Sequence, residues 1–495
     1  MIKQLIRRPL ALFIPLLSLT ACVNLAPDYQ QPPAPVAGNW PQPPAQTSLS
    51  IPAAADLGWA TFFTDPRLRD VVRLGIQNNR DLRVATLNIE QARAQYGIAS
   101  ADRLPAVGID ASASRSRTPA SVANSGETTL STRYNVDLGL TSYEIDFFGK
   151  IRNLEAAAVQ RYLAAQESRR SAQISLVSEI AAAWLQLEAT GQQLELARST
   201  LLNQQKSHDL IRRSYELGAQ SGLTLAQSQS TVDAARVKVA EYETQLAQDM
   251  NALTLLAGAP VPATLLPPTD FALQGRAATR LVLPPAGLPS SVLQQRPDVL
   301  AAEHDLIAAH ADIGAARAAF FPSISLLGSA GTASSSLSGL FSGGTLAWSV
   351  APALRLPIFD GGANRASLDM TKAQKDILLA TYEKTIQTAF REVADALAVR
   401  AGIATRLQSQ QSLVASTYRS FELSNALFRR GGGTGFLEVL DAQRAYYTAQ
   451  QDMITLRLVE QMNRLALFKT LGGGWQADTP AASATPAPSA TPASQ

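Results

Sequence analysis

Apolar residues recur every seven positions in two stretches of this chain. Leu225, Val232, Val239, Leu246 and Leu253 form one line, with Ser228, Ala235, Tyr242 and Leu256 at the matching second position of the heptad. Val439, Ala442, Tyr446, Ala449, Met453 and Leu456 form the other. Sustained heptads predict helices that pack knobs-into-holes with a left-handed twist. Before each lies a longer helical tract, about Lys150–Leu217 and about Ala363–Arg430. Both fall in proline-free runs, 120–259 and 358–479, rich in Ala, Leu, Gln, Glu and Arg. Unbroken, each tract would rise roughly 100 Å. That is far beyond an ordinary globular helix and points to a coiled coil or bundle.

Ahead of each long tract the period changes to two. Tyr134, Val136, Leu138 and Leu140 alternate with Asn135, Asp137, Gly139 and Thr141, and Val107, Ile109, Ala111 and Ala113 alternate in the same way. Later in the chain Trp348, Val350, Leu354, Leu356 and Ile358 keep the pattern around Pro352, as do Ile324, Leu326 and Gly328. Such alternation predicts strands with one apolar and one wet face. The Gly/Ser/Thr-rich connectors 118–129 and 331–345 make two hairpins, at about 105–147 and 322–359. Membrane barrels show this pattern, and alone a soluble two-sheet domain fits it equally well.

The order of elements is written twice. At an offset of 217, Asp81, Ala85, Gly97 and Pro105 fall on Asp298, Ala302, Gly314 and Pro322. At 213 or 214, Gly149, Arg152, Glu179, Gly218, Gln229 and Gly258 fall on Gly362, Arg365, Glu392, Gly431, Gln443 and Gly472. Repeat 1 (61–259) and repeat 2 (290–474) each read helix, hairpin, long helix, turn, second helix, the last spanning about 223–257 and 436–471. A proline-rich segment, 260–289, joins them. Four strands cannot close a membrane barrel, whose smallest form has eight, and an open edge cannot face lipid. If these strands span a membrane, several copies share one barrel.

Charge and composition narrow the chemistry. Residues 1–21 hold Lys3, Arg7 and Arg8 ahead of an apolar stretch too short to span a bilayer, which reads as a signal peptide. Setting those three aside from 43 basic residues leaves 40 against 40 acidic ones. A neutral chain without a basic run makes nucleic acid a poor partner. Leu19-Thr20-Ala21-Cys22 ends the leader with the only cysteine, in the manner of a bacterial lipobox. Cys22 is therefore the expected lipidation site, carrying diacylglycerol and an N-acyl chain. A proline-rich arm, 22–60, follows, and the Ala/Pro/Ser/Thr tail 475–495 is expected to be disordered. With three histidines and one cysteine no catalytic or metal-ligating set is visible, and no cofactor is expected.

Together with Ala26-Pro27-Asp28-Tyr29, Glu144-Ile145-Asp146-Phe147-Phe148-Gly149-Lys150, Leu440-Asp441-Ala442-Gln443-Arg444 and Leu471-Gly472-Gly473-Gly474-Trp475, these features resemble the outer-membrane factor family, the TolC-like efflux channels, in its OprM-like lipoprotein branch. The resemblance implies a mixed α/β membrane protein. In it, a homotrimer closes a twelve-stranded β-barrel, four strands from each chain, that continues into a periplasmic α-barrel. It implies passive, non-enzymatic export in a tripartite pump, with a periplasmic adaptor and an inner-membrane transporter of the resistance-nodulation-division class. It places a gate at the periplasmic helix tips on Leu437, Asp441 and Arg444. Asp441 and Arg444 lie three apart, close enough to pair within or across chains. Glu438 adds an acid, while Gln227 and Ser230 hold the first-repeat positions of Asp441 and Arg444. Gly218, Gly222 and Gly431, Gly432 and Gly433 are expected to supply the turns. The rival reading is a lipid-anchored periplasmic coiled-coil scaffold or adaptor protein without a channel.

Overall fold

The computed structural model describes residues 24–41, 58–267, 281–283, 290–430 and 435–473. Cys22, Gly431–Gly433 and the C-terminal tail lie outside them. The described elements run α1 (Trp59–Phe62), α2 (Pro66–Asn78), α3 (Arg80–Ala101), β1 (Ala106–Thr118), β2 (Thr129–Ile145), α4 (Lys150–Glu216), α5 (Gly222–Ala257), α6 (Pro297–Ala318), β3 (Ser323–Ser334), β4 (Leu346–Arg355), α7 (Ala363–Arg429) and α8 (Phe436–Thr470). Two compact units divide the chain, one drawn from 1–33, 88–166 and 301–383, the other from 34–87, 167–300 and 384–495. Each unit takes segments from both sequence repeats.

In the first unit one antiparallel sheet holds all four strands in the order β1-β2-β3-β4. The two hairpins are joined by β2 and β3, with Leu138 opposite Ala330 and Val136 opposite Thr332. A bulge between Leu140 and Tyr143 interrupts that ladder, with Ser142 at a φ of 32°. The outer strands β1 and β4 are exposed along nearly their whole length. Pro352 sits in β4, an edge strand, where a missing donor is tolerated. β4 stops at Arg355, short of the 359 expected from the alternation of Leu356 and Ile358. Pro357 explains the difference, since it lacks an N–H and restricts the residue before it.

An aspartate opens each long helix. The Asp146 carboxylate accepts from the Arg152 N–H at 2.8 Å, and that of Asp360 accepts from the N–H groups of Gly362 and Asn364 at 2.9 and 2.8 Å. These bonds satisfy donors that a helix start leaves free. The long helices α4 and α7 each continue for 67 residues. α6 packs on the start of α4 through Ala308, Ala311 and Ala157, with an Arg161–Asp312 ion pair at 2.5 Å.

The arm after the leader lies on this same pair of helices. The Asn24 side-chain carbonyl accepts from Asn153 at 2.9 Å, and the Leu25 carbonyl from Arg317 at 2.9 Å. The Tyr29 hydroxyl donates to Glu303 at 2.9 Å, and its ring meets His310 edge-on. Gly314 makes room for the arm, because a Cβ there would come within 2.8 Å of Ala26.

The second unit centres on aromatic packing. Phe62 stacks on Phe468 with ring centroids 3.9 Å apart, and Phe63 and the fully buried Trp184 complete the core. Where one helix is expected before the first hairpin, the structure has three, the short α1 and then α2 and α3, which are parted at Asn79. The Asn79 amide donates to the Leu256 carbonyl at 3.0 Å, and its side-chain oxygen caps the next turn at the Leu82 N–H. In the second repeat Arg296 stands at the corresponding place and donates to the Thr470 carbonyl at 2.9 Å. Thus the same position in each repeat ties the end of the second helix. Gly258, at a φ of 67°, permits the first of these contacts, since a Cβ there would lie 2.4 Å from the Asn78 carbonyl.

The heptad lines fall where the pattern places them. Ser228, Val232, Ala235 and Leu253 of α5 are buried, as are Val439, Ala449, Met453 and Leu456 of α8. Polar ties accompany the apolar seam. Thr190 donates to Asp249 at 2.6 Å and Arg198 pairs with Glu243 at 2.7 Å between α4 and α5. Asn463 and Gln410 of α8 and α7 reach backbone carbonyls of Ala396 and Ala449.

Candidate functional site

The helical ends of the second unit gather most of the candidate residues. At the first end Gly218 adopts a φ of 76°, and the Ala219 N–H closes on the Ser214 carbonyl at 2.8 Å. A left-handed residue just past a helix end is the usual use of glycine. Ser221 caps α5 by accepting from the Thr224 N–H at 3.1 Å. Gly222 does not make the turn as expected: it is the first residue of α5, in ordinary helical conformation. The Ser221 cap already starts the helix, so no left-handed residue is needed there.

At the second end α7 stops at Arg429 and α8 starts after Gly435. Phe436 anchors that start, buried against Phe428 with Ile211 and Leu440. This core turns the next residues outward. Leu437 is 64% exposed, and Glu438, Asp441 and Arg444 are exposed along the same helix. Asp441 and Arg444 share a face, yet among the ion pairs of the described residues none joins them.

Arg444 instead borders a cleft of about 250 Å³ whose walls include Ser230, Thr200, Gln204, Leu440 and Tyr447. The first-repeat counterpart of Arg444 therefore shares a cleft with it. Ser230, a neutral side chain, donates its hydroxyl to the Gln227 carbonyl at 2.8 Å. Lys238 on the same rim is engaged by Glu241 at 2.8 Å.

Three polar contacts near this cleft escaped sequence reasoning. His208 Nδ1 lies 2.8 Å from the hydroxyl of Ser228, which is buried. Gln451 donates to the Tyr242 hydroxyl at 2.8 Å and to that of Tyr447 at 3.2 Å, linking α5 to α8. Burial, with Tyr242 and Glu241 nearby, pushes the Tyr447 phenol up to about 12. The available signal was a polar Ser228 and an aromatic Tyr242 set into an otherwise aliphatic heptad line. Among the described residues no group of three His, Cys, Asp or Glu is placed to hold a metal, and no helix is long and apolar enough to cross a membrane.

Comparison with known proteins gives this geometry its family. The family model described as outer membrane efflux protein matches twice, over residues 71–259 and 288–473. A probable efflux pump outer membrane protein, TtgC of Pseudomonas putida, is 45% identical over 485 residues, 98% of each chain. The outer membrane protein OprJ of Pseudomonas aeruginosa is 42% identical over 93% of this chain and 94% of its own. Among solved structures, the open-state MtrE outer membrane channel of Neisseria gonorrhoeae superposes with a TM-score of 0.82 at 35% identity, covering 92% of this chain and all of that one. A membrane protein from Pseudomonas aeruginosa gives 0.85 at 40% identity, over 92% of this chain and 98% of that one. A lone coiled-coil scaffold is not what these relatives are. With the family pattern present in both repeats and relatives matched over nearly its full length, this chain belongs to the outer membrane efflux protein family and resides in the outer membrane.

Proposed function

We propose that this chain is the outer-membrane duct of a tripartite efflux pump, conducting cargo passively from the periplasm to the exterior. The observation that carries the reading is the single four-stranded sheet with two open edges and apolar residues exposed along them. Val107, Ile109, Trp348, Val350 and Leu354 are each more than half exposed. Such a sheet is stable in lipid only when further copies close it, and three copies give twelve strands. The homotrimer would receive cargo through a periplasmic adaptor from an inner-membrane transporter of the resistance-nodulation-division class.

Cys22 carries the lipid in this reading, two residues before Asn24, where the arm is fixed to the start of α4. Two or more acyl chains hold a protein firmly at a membrane. The gate lies at the α8 tip. The exposed Leu437 forms an apolar constriction, with Glu438, Asp441 and Arg444 as its charged rim. Because Asp441 and Arg444 do not pair within the protomer, their partners are the corresponding residues of neighbouring copies. Relatives are named for toluene, solvent and antibiotic efflux, so small apolar or amphipathic organic molecules are the proposed cargo.

Removing the chain from its native cell and then restoring it tests this assignment. Cells lacking it should accumulate ethidium and tolerate less toluene, and the restored chain should return both to normal. Unchanged accumulation and tolerance, with pump and adaptor present, would contradict the assignment.

A further inference from the structure

We infer that Arg115 and Arg117 of β1 form a binding site for the phosphate groups of the glycolipid in the outer leaflet of the membrane. The inference rests on the duct reading above and adds a lipid ligand to it.

The ladders separate the two faces of the sheet rung by rung. Val107, Ile109 and Ala113 of β1 stand opposite Leu140, Leu138 and Tyr134 of β2. Trp348, Val350 and Leu354 of β4 share this face through their pairing with β3. The other face sets Asp110 and Ser112 against Asp137 and Asn135. In a membrane barrel the apolar face belongs to lipid and the polar one to the channel. Period two then puts Arg115 and Arg117 on the lipid side, in line with Val107 and Ala113.

Neighbouring strands mark the height at which these two arginines stand. Towards the hairpin end, the lipid-side row on β2 passes from Val136 to Tyr134 and Thr132, and that on β3 from Ala330 to Thr332 and Ser334. A tyrosine followed by polar residues is how a barrel strand leaves the hydrocarbon. Arg115, opposite Thr132, lies one rung beyond Tyr134, about 7 Å along the strand, and Arg117 one rung further. The helices α3, α4, α6 and α7 all adjoin the opposite end of the sheet. With those helices in the periplasm, both arginines lie at the headgroups of the outer leaflet.

Their charge calls for a partner from outside the chain. Both are exposed, and among the described residues neither takes part in an ion pair or a side-chain hydrogen bond. The ladder sets them against Thr132 and Leu130, which are neutral, and the second hairpin carries no charged residue from Gly331 to Leu346. By contrast Arg133, on the wet face, donates to the Asn135 side chain at 3.0 Å. Two neighbouring guanidinium groups at the edge of the hydrocarbon attract anionic headgroups, and their planar forks match phosphate oxygens in pairs. The phosphorylated glycolipid offers that chemistry at this depth, whereas the inner-leaflet phospholipids lie across the hydrocarbon.

Lipid retention by the full-length, detergent-solubilised protein tests the site, read by native mass spectrometry. The probes are lipid A, a bisphosphorylated diglucosamine lipid, its dephosphorylated form and phosphatidylglycerol. The natural protein should retain lipid A at least fivefold better than either of the others. Arg115→Gln with Arg117→Gln should abolish that preference, and Arg133→Gln should keep it. Equal retention of the three lipids by the natural protein overturns the site without recourse to a variant, and so does a preference that survives in the double variant. In either case a trimer by mass photometry leaves the duct reading standing. A mass of one chain overturns both.

Discussion

Arg296 shows how one side chain holds three parts of the second repeat. Its guanidinium is buried, pairs with Asp298 at 2.8 Å and Glu392 at 3.2 Å, and donates to the Thr470 carbonyl. Burial opposes the charge, and Asp298 followed by Glu392 outweighs it, so the group stays protonated. Arg296→Ala leaves a buried carbonyl and two carboxylates without their donor. It should lower stability by about 2–4 kcal/mol, read as a shift of the urea midpoint in detergent. Arg296→Lys should recover less than half, because an ammonium cannot serve three acceptors in one plane. Asn79 does the same work in the first repeat with a neutral amide. The duplication was legible in Asp81/Asp298 and Gly258/Gly472, but the anchors were not. Asn and Arg share no chemistry in a sequence alignment, and only the carbonyls of Leu256 and Thr470 reveal their common task.

At the scale of elements, start signals decide where helices begin. The Asp65 side chain caps α2, accepting from the Arg67 N–H at 2.8 Å and from its guanidinium at 2.9 Å. Burial raises its pKa, but the bonds to Arg67 outweigh that, and the carboxyl lies below its ordinary value. A depressed folded pKa adds stability that is present above the unfolded value near 3.9 and is lost as pH falls through the folded one. Asp65→Ala should therefore cost about 0.5–2 kcal/mol at neutral pH, and less as the solution is acidified below about pH 4, followed by circular dichroism. The arm offers a second test. Gly314→Val would push a side chain into Ala26 and Asn153. Limited proteolysis should then cut within 24–33 more readily than in the natural chain. Long helices were readable because proline-free tracts and heptads are local signals. The arm's seat on α6 was not, since it is made by single contacts to residues nearly three hundred positions away, and an extended proline-rich segment has no periodicity to announce them. The end of β4 was misplaced for a related reason. Leu356 and Ile358 continue the alternation, but Pro357 between them takes the chain out of the ladder.

For the whole molecule, the informative feature is incompleteness. A sheet with two exposed edges and helices with apolar residues outward, such as Leu223 at 69%, Val237 at 64% and Leu437 at 64%, offer the surfaces that the proposed assembly needs. The fold class was legible because four strands are too few for a barrel and the helices too long for a compact domain. The tip was legible in part. Leu437, Glu438, Asp441 and Arg444 stand exposed on α8, while the in-chain Asp441–Arg444 pair that their spacing allows is not formed. Spacing gives the shared face, whereas the cleft that Arg444 borders beside Ser230 and Tyr447 is assembled from three helices.

The most direct test is single-channel conductance in planar bilayers, for the natural protein and for Asp441→Ala with Arg444→Ala. The natural channel should conduct weakly and flicker. The double variant should rise several-fold and lose the flicker, because it removes the charged rim proposed to hold neighbouring tips together. A conductance equal to that of the natural channel would contradict gating at the α8 tip. A folded, lipidated oligomer that conducts in neither form would contradict the duct itself.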